Sequence, residues 1–479
     1  MFFYSSIKKI STMLFLASVL ASCAVGPDYL RPPVGVPVAF RGANPATSNA
    51  RSMGDLAWAQ IFKDPALMQL INTGLANNFD LRIAAARVDE YRARAGIVRG
   101  AMFPQIDAGI GYSAENGSLL SDPKTNRSND TARNWNANLQ LSWELDLFGR
   151  LRRNDESAMA LWLASEEGRR SVVITLVGDI ASAYFTLRQY DLELEISQRT
   201  VVSNKQQVEF YRDRLNGGAS NRLELDQAVA NLATTSSRVP DFERRIAVQE
   251  NYINLLLGRG PGPIPRGQSL VDQSYPPILP VGLPVQLLER RPDIKQVEQE
   301  LVAANADIGA AKALFFPNIS ITGSAGRLSN DFSNLGNSDA AIWSLGSGVL
   351  QPLFHGGAIR FNYEAKQAQF EQALAQYQKT VQNSFRETSD AIVTIEKSKI
   401  ASEQLQVGVV ALRDATELAR ARYGGGLSSY LDILTADQSL FSAELQFAEM
   451  RGTEFTAMVN LYRALGGGLE MPQQAIKKP

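Results

Sequence analysis

The feature that most constrains this chain is an internal duplication. Phe103-Pro104-Gln105-Ile106 closes a helical pattern and opens an alternating one, and Phe316-Pro317-Asn318-Ile319 does the same roughly 210 residues later. A glycine-containing interruption of a long helical pattern recurs at a similar offset. A period this long excludes a solenoid and predicts two copies of one unit, ordered helix, β-hairpin, long helix, turn, helix.

The N-terminus has the pattern of a lipoprotein signal peptide. Lys8 and Lys9 precede a short apolar segment, and small residues then precede Cys23. Cys23 is the only cysteine, which excludes disulfides and predicts S-diacylglycerol and N-acyl groups on this residue. The alternative is an ordinary signal peptide with an incidental cysteine. Because Ala24 rather than aspartate follows, we expect a lipid anchor in the outer membrane of a Gram-negative bacterium.

Composition narrows the class of protein. The net charge is −1 and the sequence pI is about 6.1, so no basic patch predicts nucleic-acid binding. The hydrophobic content of 45% supports a folded chain, and no apolar run suggests a spanning helix. The mature protein is therefore expected either to be tethered only or to span as a β-barrel.

Strict alternation predicts membrane strands. From Trp135 to Leu147 the odd positions are apolar and the even ones polar, and residues 106–115 alternate in the same way. The second repeat carries fainter alternation near 319–322 and 341–353. Four strands leave bare edges that a bilayer forbids, so we expect an oligomeric barrel, for which three chains would supply twelve strands. A soluble sandwich with buried tryptophans is the alternative.

Acidic residues lie on the polar strand faces, without lysine or arginine among their neighbours on those faces. This pattern predicts a cation-preferring lumen. The acids are Asp107, Glu115, Glu144 and Asp146.

Two long segments predict coiled-coil helices. Residues 149–214 and 358–423 contain no proline, and at about 1.5 Å per residue each would extend on the order of 100 Å. Pro240 is expected to kink a shorter helix over 220–257. The alternative is a solvated stalk that conducts nothing.

These patterns predict a mixed α+β membrane protein with an internal twofold repeat. The expected division is a signal peptide (1–22), an anchored extended segment (23–64), repeat 1 (65–258, hairpin about 104–147), a Pro/Gly linker (259–284), repeat 2 (285–466, hairpin about 317–353) and a tail (467–479).

Several motifs together resemble the TolC-type outer-membrane factor family, in its OprM/NodT-like lipoprotein drug-efflux branch. The segment 23–29, CAVGPDY, is similar to the mature N-terminus of that branch. The central signature is matched by Gly282-Leu283-Pro284, Arg290-Arg291-Pro292-Asp293-Ile294 and Phe316-Pro317-Asn318-Ile319. The resemblance covers essentially the whole mature chain.

This resemblance implies a TolC-like homotrimer whose twelve-stranded antiparallel barrel continues into a long α-helical coiled-coil barrel. It implies outer-membrane lipid around the barrel, a periplasmic adaptor protein and an inner-membrane pump, of RND type in this branch. The helix turns would form a closable tip.

The resemblance also implies gate residues. Tyr423 and Leu431 match a tyrosine before the second turn and a leucine near it, whereas the family's acidic position holds Thr435. An acidic ring formed instead by Asp432 or Asp437 remains an alternative. Ser220 or Ser428 is expected to cap the following helix. The expected adaptor-docking tips are Gly217, Gly218, Ser220, Gly424, Gly425, Gly426 and Ser428.

No set of residues predicts an enzyme, a cofactor or a metal site. The single histidine, His355, stands beside Gly356 and Gly357 and is interpreted as part of a turn. A passive efflux duct is the favoured function. A type I protein-secretion duct, a non-conducting envelope-spanning tether and an anchored periplasmic enzyme are the alternatives, and the exported compound is not readable from the sequence.

Overall fold

The four alternating segments form one antiparallel sheet. The structure, a computed structural model, describes residues 24–42, 52–115, 131–273 and 281–467. The strand order is β1-β2-β3-β4, so each strand pairs with its neighbour in the chain. The strands are β1 (Gln105–Glu115), β2 (Ala132–Leu145), β3 (Asn318–Ser329) and β4 (Ala341–Leu350).

The register gives the sheet one apolar and one polar face. Residues directly opposite each other in an antiparallel pair share a face. Leu139 lies opposite Ala108 on one side and Ala325 on the other, and Trp343 continues this row on β4. The apolar face is open, since Ile110 is 81% and Trp343 80% exposed.

The helices follow the same order on both sides of the linker. Each hairpin is preceded by a 22-residue helix and followed by one of 67 residues. The helices are α1 (Trp58–Ile61), α2 (Pro65–Asn77), α3 (Phe79–Gly100), α4 (Arg150–Asn216), α5 (Arg222–Ser236), α6 (Arg238–Leu256), α7 (Leu287–Arg290), α8 (Pro292–Ala313), α9 (Ala358–Gly424) and α10 (Tyr430–Ala464). Short 3₁₀ turns occupy Met53–Asp55, Pro284–Gln286, Phe332–Gly336 and Ser338–Ala340.

Two expected helices are divided. Asn78 separates α2 from α3, because its side chain accepts from Leu81 N at 2.9 Å and donates to Leu256 O at 2.9 Å. Ser237 separates α5 from α6, three residues before Pro240, as expected from the missing N–H of proline.

One window of α4 is apolar enough to span a membrane, which the sequence analysis did not expect. It covers 18 residues with a mean hydropathy of 1.3, and 61% of it is buried in the structure. Burial of this extent is typical of the core part of a packed helix.

The chain folds into two compact units. The first comprises Met1–Pro33, Arg87–Glu166 and Gln296–Tyr377 and contains all four strands. Within it the segment 24–31 contacts the connection from β2 to α4 and the helix α8: Val25 N donates to Phe148 O at 3.1 Å, and Asn305 Nδ2 donates to Pro27 O at 2.9 Å. Cys23 and its expected acyl groups lie outside the described residues.

The second unit comprises Val34–Ala86, Glu167–Lys295 and Gln378–Pro479 and contains both helix turns. Its buried core includes a carboxylate, Asp64, which begins α2 by accepting from Ala66 N at 2.9 Å. Asp64 also accepts from the Tyr184 hydroxyl at 2.8 Å and from Gln273 Nε2 at 2.7 Å. This fully bonded carboxylate fixes the start of α2 against α4.

Candidate functional site

The two helix turns have the same backbone geometry. Gly218 and Gly426 both adopt φ of 72°, a left-handed conformation in which glycine avoids the steric cost of a side chain. Each turn is closed by a 2.8 Å bond, from Ala219 N to Arg214 O in the first and from Leu427 N to Arg422 O in the second. This pattern is typical of a helix that ends at a glycine.

The first turn is capped one residue later than expected. Asn221, not Ser220, is the N-cap of α5, and its side chain accepts from Glu224 N at 3.0 Å. The Ser220 hydroxyl instead donates to the Glu224 carboxylate. The side chain that caps the free N–H groups of α5 is therefore that of Asn221 and not the predicted Ser220.

The second turn shows the same displacement. Ser429, not Ser428, is the N-cap of α10, and its N–H donates to Asp432 Oδ2 at 2.9 Å. The Ser429 hydroxyl donates to the same oxygen at 3.1 Å. Asp432 is thus part of a helix cap, a role that also suits the positive end of the helix dipole.

A tyrosine cluster joins the helices behind the turns. Tyr211 on α4 lies 4.4 Å from Tyr430 on α10 and 5.8 Å from Tyr423 on α9, measured between ring centroids. Val208 and Ile433 are buried in the same cluster. Burial raises the pKa of Tyr430 to about 12, and it also raises the pKa of Tyr211 and Tyr423.

A polar bond crosses from one turn to the other. The Tyr423 hydroxyl donates to Glu224 Oε2 at 3.2 Å, and the Arg214 guanidinium lies 5.3 Å from the Tyr423 ring centroid. Tyr423 therefore contacts an acid and a base of the first turn at once.

Asp437 is not a free carboxylate. Its side chain is buried on α10 and accepts from Arg420 Nη2 at 2.8 Å and from Gln207 Nε2 at 2.6 Å. It ties α10 to α9 and α4 within one chain. By contrast, Leu431 and Thr435 are exposed on α10, and the Thr435 hydroxyl donates to Leu431 O at 2.8 Å.

A second buried acid, which the sequence analysis missed, repeats this arrangement. Glu444 accepts from Arg199 Nη2 at 2.7 Å and from Arg413 Nη2 at 2.9 Å. The signal was present in the heptad spacing, since Glu444 stands one heptad from Asp437 and Arg413 one heptad from Arg420. Each acid joins α10 to the two long helices.

No lysine or arginine lies on the polar face of the described strands, as expected, but two of the acids pair with arginines from outside the strands. Glu144 Oε2 lies 2.6 Å from Arg150 Nη2, and Asp146 Oδ2 lies 3.4 Å from Arg152 Nε. Asp146 stands just beyond the end of β2. Both arginines come from the first turn of α4, where the chain returns beside the strand it has left.

Asp107 and Glu115 are exposed on β1, in the polar face. In the part of the chain that the structure describes, Asp107 has no ion-pair partner. The polar face is otherwise neutral near them: Asn136, Asn138 and Gln140 lie opposite the odd positions of β1. The strand surface therefore carries few uncompensated charges.

No metal centre is found among the described residues, where no group of three or more His, Cys, Asp or Glu is arranged to hold an ion. His355 is exposed at the turn before α9, and its carbonyl accepts from Ala358 N at 3.0 Å. The following residues, Gly356 and Gly357, both have positive φ, which is typical of a turn.

Known proteins are similar to this chain in both sequence and fold. The family described as outer membrane efflux protein matches residues 70–259 and 283–467. A probable efflux pump outer membrane protein of Pseudomonas putida, TtgC, is 35% identical over 469 residues, which is 96% of each chain. The cation efflux system protein CusC of Escherichia coli is 34% identical over 455 residues, covering 95% of this chain and 97% of CusC.

Solved structures give the same result. A crystal structure of CusC superposes with a TM-score of 0.84 at 32% identity and covers 93% of this chain and 100% of that one. The open state of the MtrE outer membrane channel of Neisseria gonorrhoeae has a TM-score of 0.84 at 30% identity, covering 93% and 99%. The fold is therefore TolC-like, and the chain belongs to the outer membrane efflux protein family.

Proposed function

We propose that three copies of this chain form a passive outer-membrane duct for small molecules. The duct works with a periplasmic adaptor and an inner-membrane pump of the RND type, which supplies the energy. The observation that carries the trimer is the sheet: four antiparallel strands with β1 and β4 at bare edges and an exposed apolar face. When three sheets close into one twelve-stranded barrel, the backbone N–H and C=O groups at both edges of each sheet are paired, and the apolar faces contact lipid.

Strand length supports the same proposal. The strands have between 10 and 14 residues, close to the roughly 9–11 that cross a bilayer at a tilt. Tyr112, Trp135 and Trp343 lie on the apolar face towards the loop end, as interfacial aromatic residues do.

Acylation of Cys23 is part of the proposal. The signal-peptide pattern supports it, and so does the position of the next residues. Val25 N donates a hydrogen bond to Phe148 O, just beyond the end of β2 that leads into α4. A lipid attached two residues earlier enters the bilayer at the same end of the sheet.

The two turns form the proposed periplasmic gate and adaptor-docking surface. Tyr423 supports this through its bond to Glu224, and Leu431 through its exposure on the first turn of α10. Asp437 is assigned to the packing behind the turns, because its carboxylate is already bonded twice. Thr435 at the family's acidic position makes a neutral constriction the favoured form.

The names of the relatives favour small cargo over protein. They include efflux pump components for toluene, solvent, antibiotic and cations. A type I secretion duct and a non-conducting tether are the competing functions, and conductance separates the duct from the tether.

The test uses the full-length acylated protein in planar bilayers. We expect trimers with stable, water-filled conductance. A monomer that stays soluble without detergent, with its strand tryptophans packed in protein, would overturn the duct. Deleting the protein and screening susceptibility to dyes, detergents, antibiotics and metals then identifies the cargo class.

A further inference from the structure

The charges carried by the strands are separated by face. Every charged residue on the polar face of β1 to β4 is an acid, namely Asp107, Glu115 or Glu144. The apolar face carries two charged residues, Arg133 and Arg327, and both are bases. A cation on a surface that is otherwise apolar and turned to lipid requires an anionic partner to offset its desolvation.

Both arginines lie at the end of the sheet opposite the helices. Arg133 is the second residue of β2, and Arg327 is the third from the end of β3. The connections at the other end lead to α3, α4, α8 and α9. In the proposed orientation the loop end faces the outside of the cell, so both side chains meet the outer leaflet.

The sheet leaves room around these side chains. Ala114 lies opposite Arg133, while Ala137 and Ala341 flank Arg327. Small neighbours on the adjacent strands leave the guanidinium groups open to the surface. Because both arginines stand on the central strands β2 and β3, pairing with neighbouring chains at β1 and β4 does not cover them.

Arg327 is held in place by the loop that follows β3. Its Nη1 donates to Leu335 O at 2.8 Å and to Asn337 O at 3.2 Å. Within the described residues, its Nε and Nη2 have no acceptor. Beside it, Phe332 of the same loop packs on Trp135 at a centroid distance of 5.1 Å. The guanidinium is therefore oriented at an aromatic border, with hydrogens left for an external acceptor.

We propose that Arg133 and Arg327 bind the phosphate groups of the phosphorylated glycolipid of the outer leaflet, lipid A. Phosphate oxygens accept from guanidinium in a strong, charge-assisted geometry. The acyl chains of that lipid then cover the apolar face below the two arginines. Asp331 and Asp339, the nearest acids in sequence to Arg327 outside the strands, belong to the loop and not to this face. The proposal rests on the outer-membrane placement proposed above.

The test measures binding of the purified full-length protein to bisphosphorylated lipid A and to the same lipid after dephosphorylation. We expect the wild type to prefer the phosphorylated form at least about tenfold, and each of Arg133→Gln and Arg327→Gln to lose several-fold. Arg327→Lys keeps the charge and should retain most of the preference. Arg360→Gln, which removes an exposed arginine on α9, is the matched control.

Two results would overturn the proposal: phosphate-dependent binding that survives in the double variant, or a wild type that prefers phosphatidylglycerol. Arg133→Gln guards against a loop effect, because the loop bonds belong to Arg327. Channel conductance is recorded in the same samples. Wild-type conductance in the double variant together with lost lipid A binding supports the proposal, whereas absent conductance in the wild type points to failure of the duct itself.

Discussion

Tyr423 and Glu224 stand on opposite helix turns, and the Tyr423 hydroxyl donates a hydrogen bond of 3.2 Å to the Glu224 carboxylate. Glu224 also accepts from Ser220, so one carboxylate fastens both turns. This bond is made within a single chain. It therefore holds α9 against α5 before any other subunit is considered.

Loss of this bond should loosen the proposed gate. We expect Tyr423→Phe to favour the separated turns by roughly 0.5–1.5 kcal/mol, a shift of about two- to tenfold in the open population. The measurement is the open probability in planar bilayers, with entry of a large, normally excluded antibiotic into cells as a second readout. Tyr252→Phe on α6 is the control. If both Tyr423→Phe and Glu224→Gln showed the open probability and antibiotic entry of the wild type, this hydrogen bond would have no role in the gate.

Asp437 and Asp432 should behave differently when neutralised. Asp437→Asn weakens a buried contact that joins three helices, and we expect a loss of about 1–2 kcal/mol, discounted because Arg420 is partly exposed. Asp432→Asn weakens a helix cap and should cost roughly 0.5–1 kcal/mol. Hydrogen exchange of α9 and α10 measures both. If Asp437→Asn altered ion selectivity but left exchange unchanged, Asp437 would belong to the pore.

Alkaline pH should loosen the tyrosine cluster. Burial raises the pKa of Tyr430 from 10.0 to about 12, so the folded state favours the neutral phenol. The stability from this preference is complete below pH 10 and is lost as the pH rises through 12. We expect hydrogen exchange near the turns to increase in that window.

Tyr430→Phe should remove part of this alkaline response. The Tyr430 hydroxyl has no hydrogen-bond partner in the described chain, so the substitution should be close to neutral at pH 7. Tyr91→Phe on α3 lies outside the cluster and serves as the control. An alkaline response of the same size in Tyr430→Phe as in the wild type would assign it to other groups.

The strands were predictable because their signal is local. Alternation between Trp135 and Leu145 depends only on the two-residue period of a strand facing two environments, and the structure places β2 there. The contacts at the turns were not predictable in this way. Gln207 and Asp437 are 230 residues apart, and the residues next to each in the sequence give no sign that the two side chains are hydrogen-bonded.

Two errors have simple physical causes. The expected caps Ser220 and Ser428 each precede the true cap by one residue. The position of the cap depends on the backbone conformation after the left-handed glycine, which the sequence alone does not show. Arg150 was overlooked as a partner of Glu144 because only neighbours on the strands were considered. The turn into α4 brings it back within 2.6 Å.

The segment after Cys23 should depend on two glycines. Gly26 has φ of 123°, and a Cβ built on it would lie 2.5 Å from the Gly309 backbone. Gly26→Ala should therefore displace this segment at a cost of at least about 1–3 kcal/mol. Hydrogen exchange over residues 24–31 measures the effect. Gly35→Ala, which meets no atom within 4 Å, is the control, and equal protection in the two variants would contradict the packing.

The last prediction concerns ion selectivity of the proposed barrel. Because Arg150 and Arg152 compensate Glu144 and Asp146, we expect the cation preference of the wild type to be weak. Arg150→Gln leaves Glu144 uncompensated and should strengthen that preference. Asp107→Asn should weaken it. Reversal potentials in a salt gradient measure all three proteins.

Arg360→Gln removes a positive charge from α9, outside the strands, and should leave the reversal potential unchanged. A shift in Arg360→Gln equal to that in Arg150→Gln would mean that net charge alone sets selectivity. Anion preference in the wild type would reject the acidic lumen altogether. The predicted order, from most to least cation-selective, is Arg150→Gln, wild type and Asp107→Asn. The first step restores the positive charge beside Glu144, and the second removes the negative charge of Asp107.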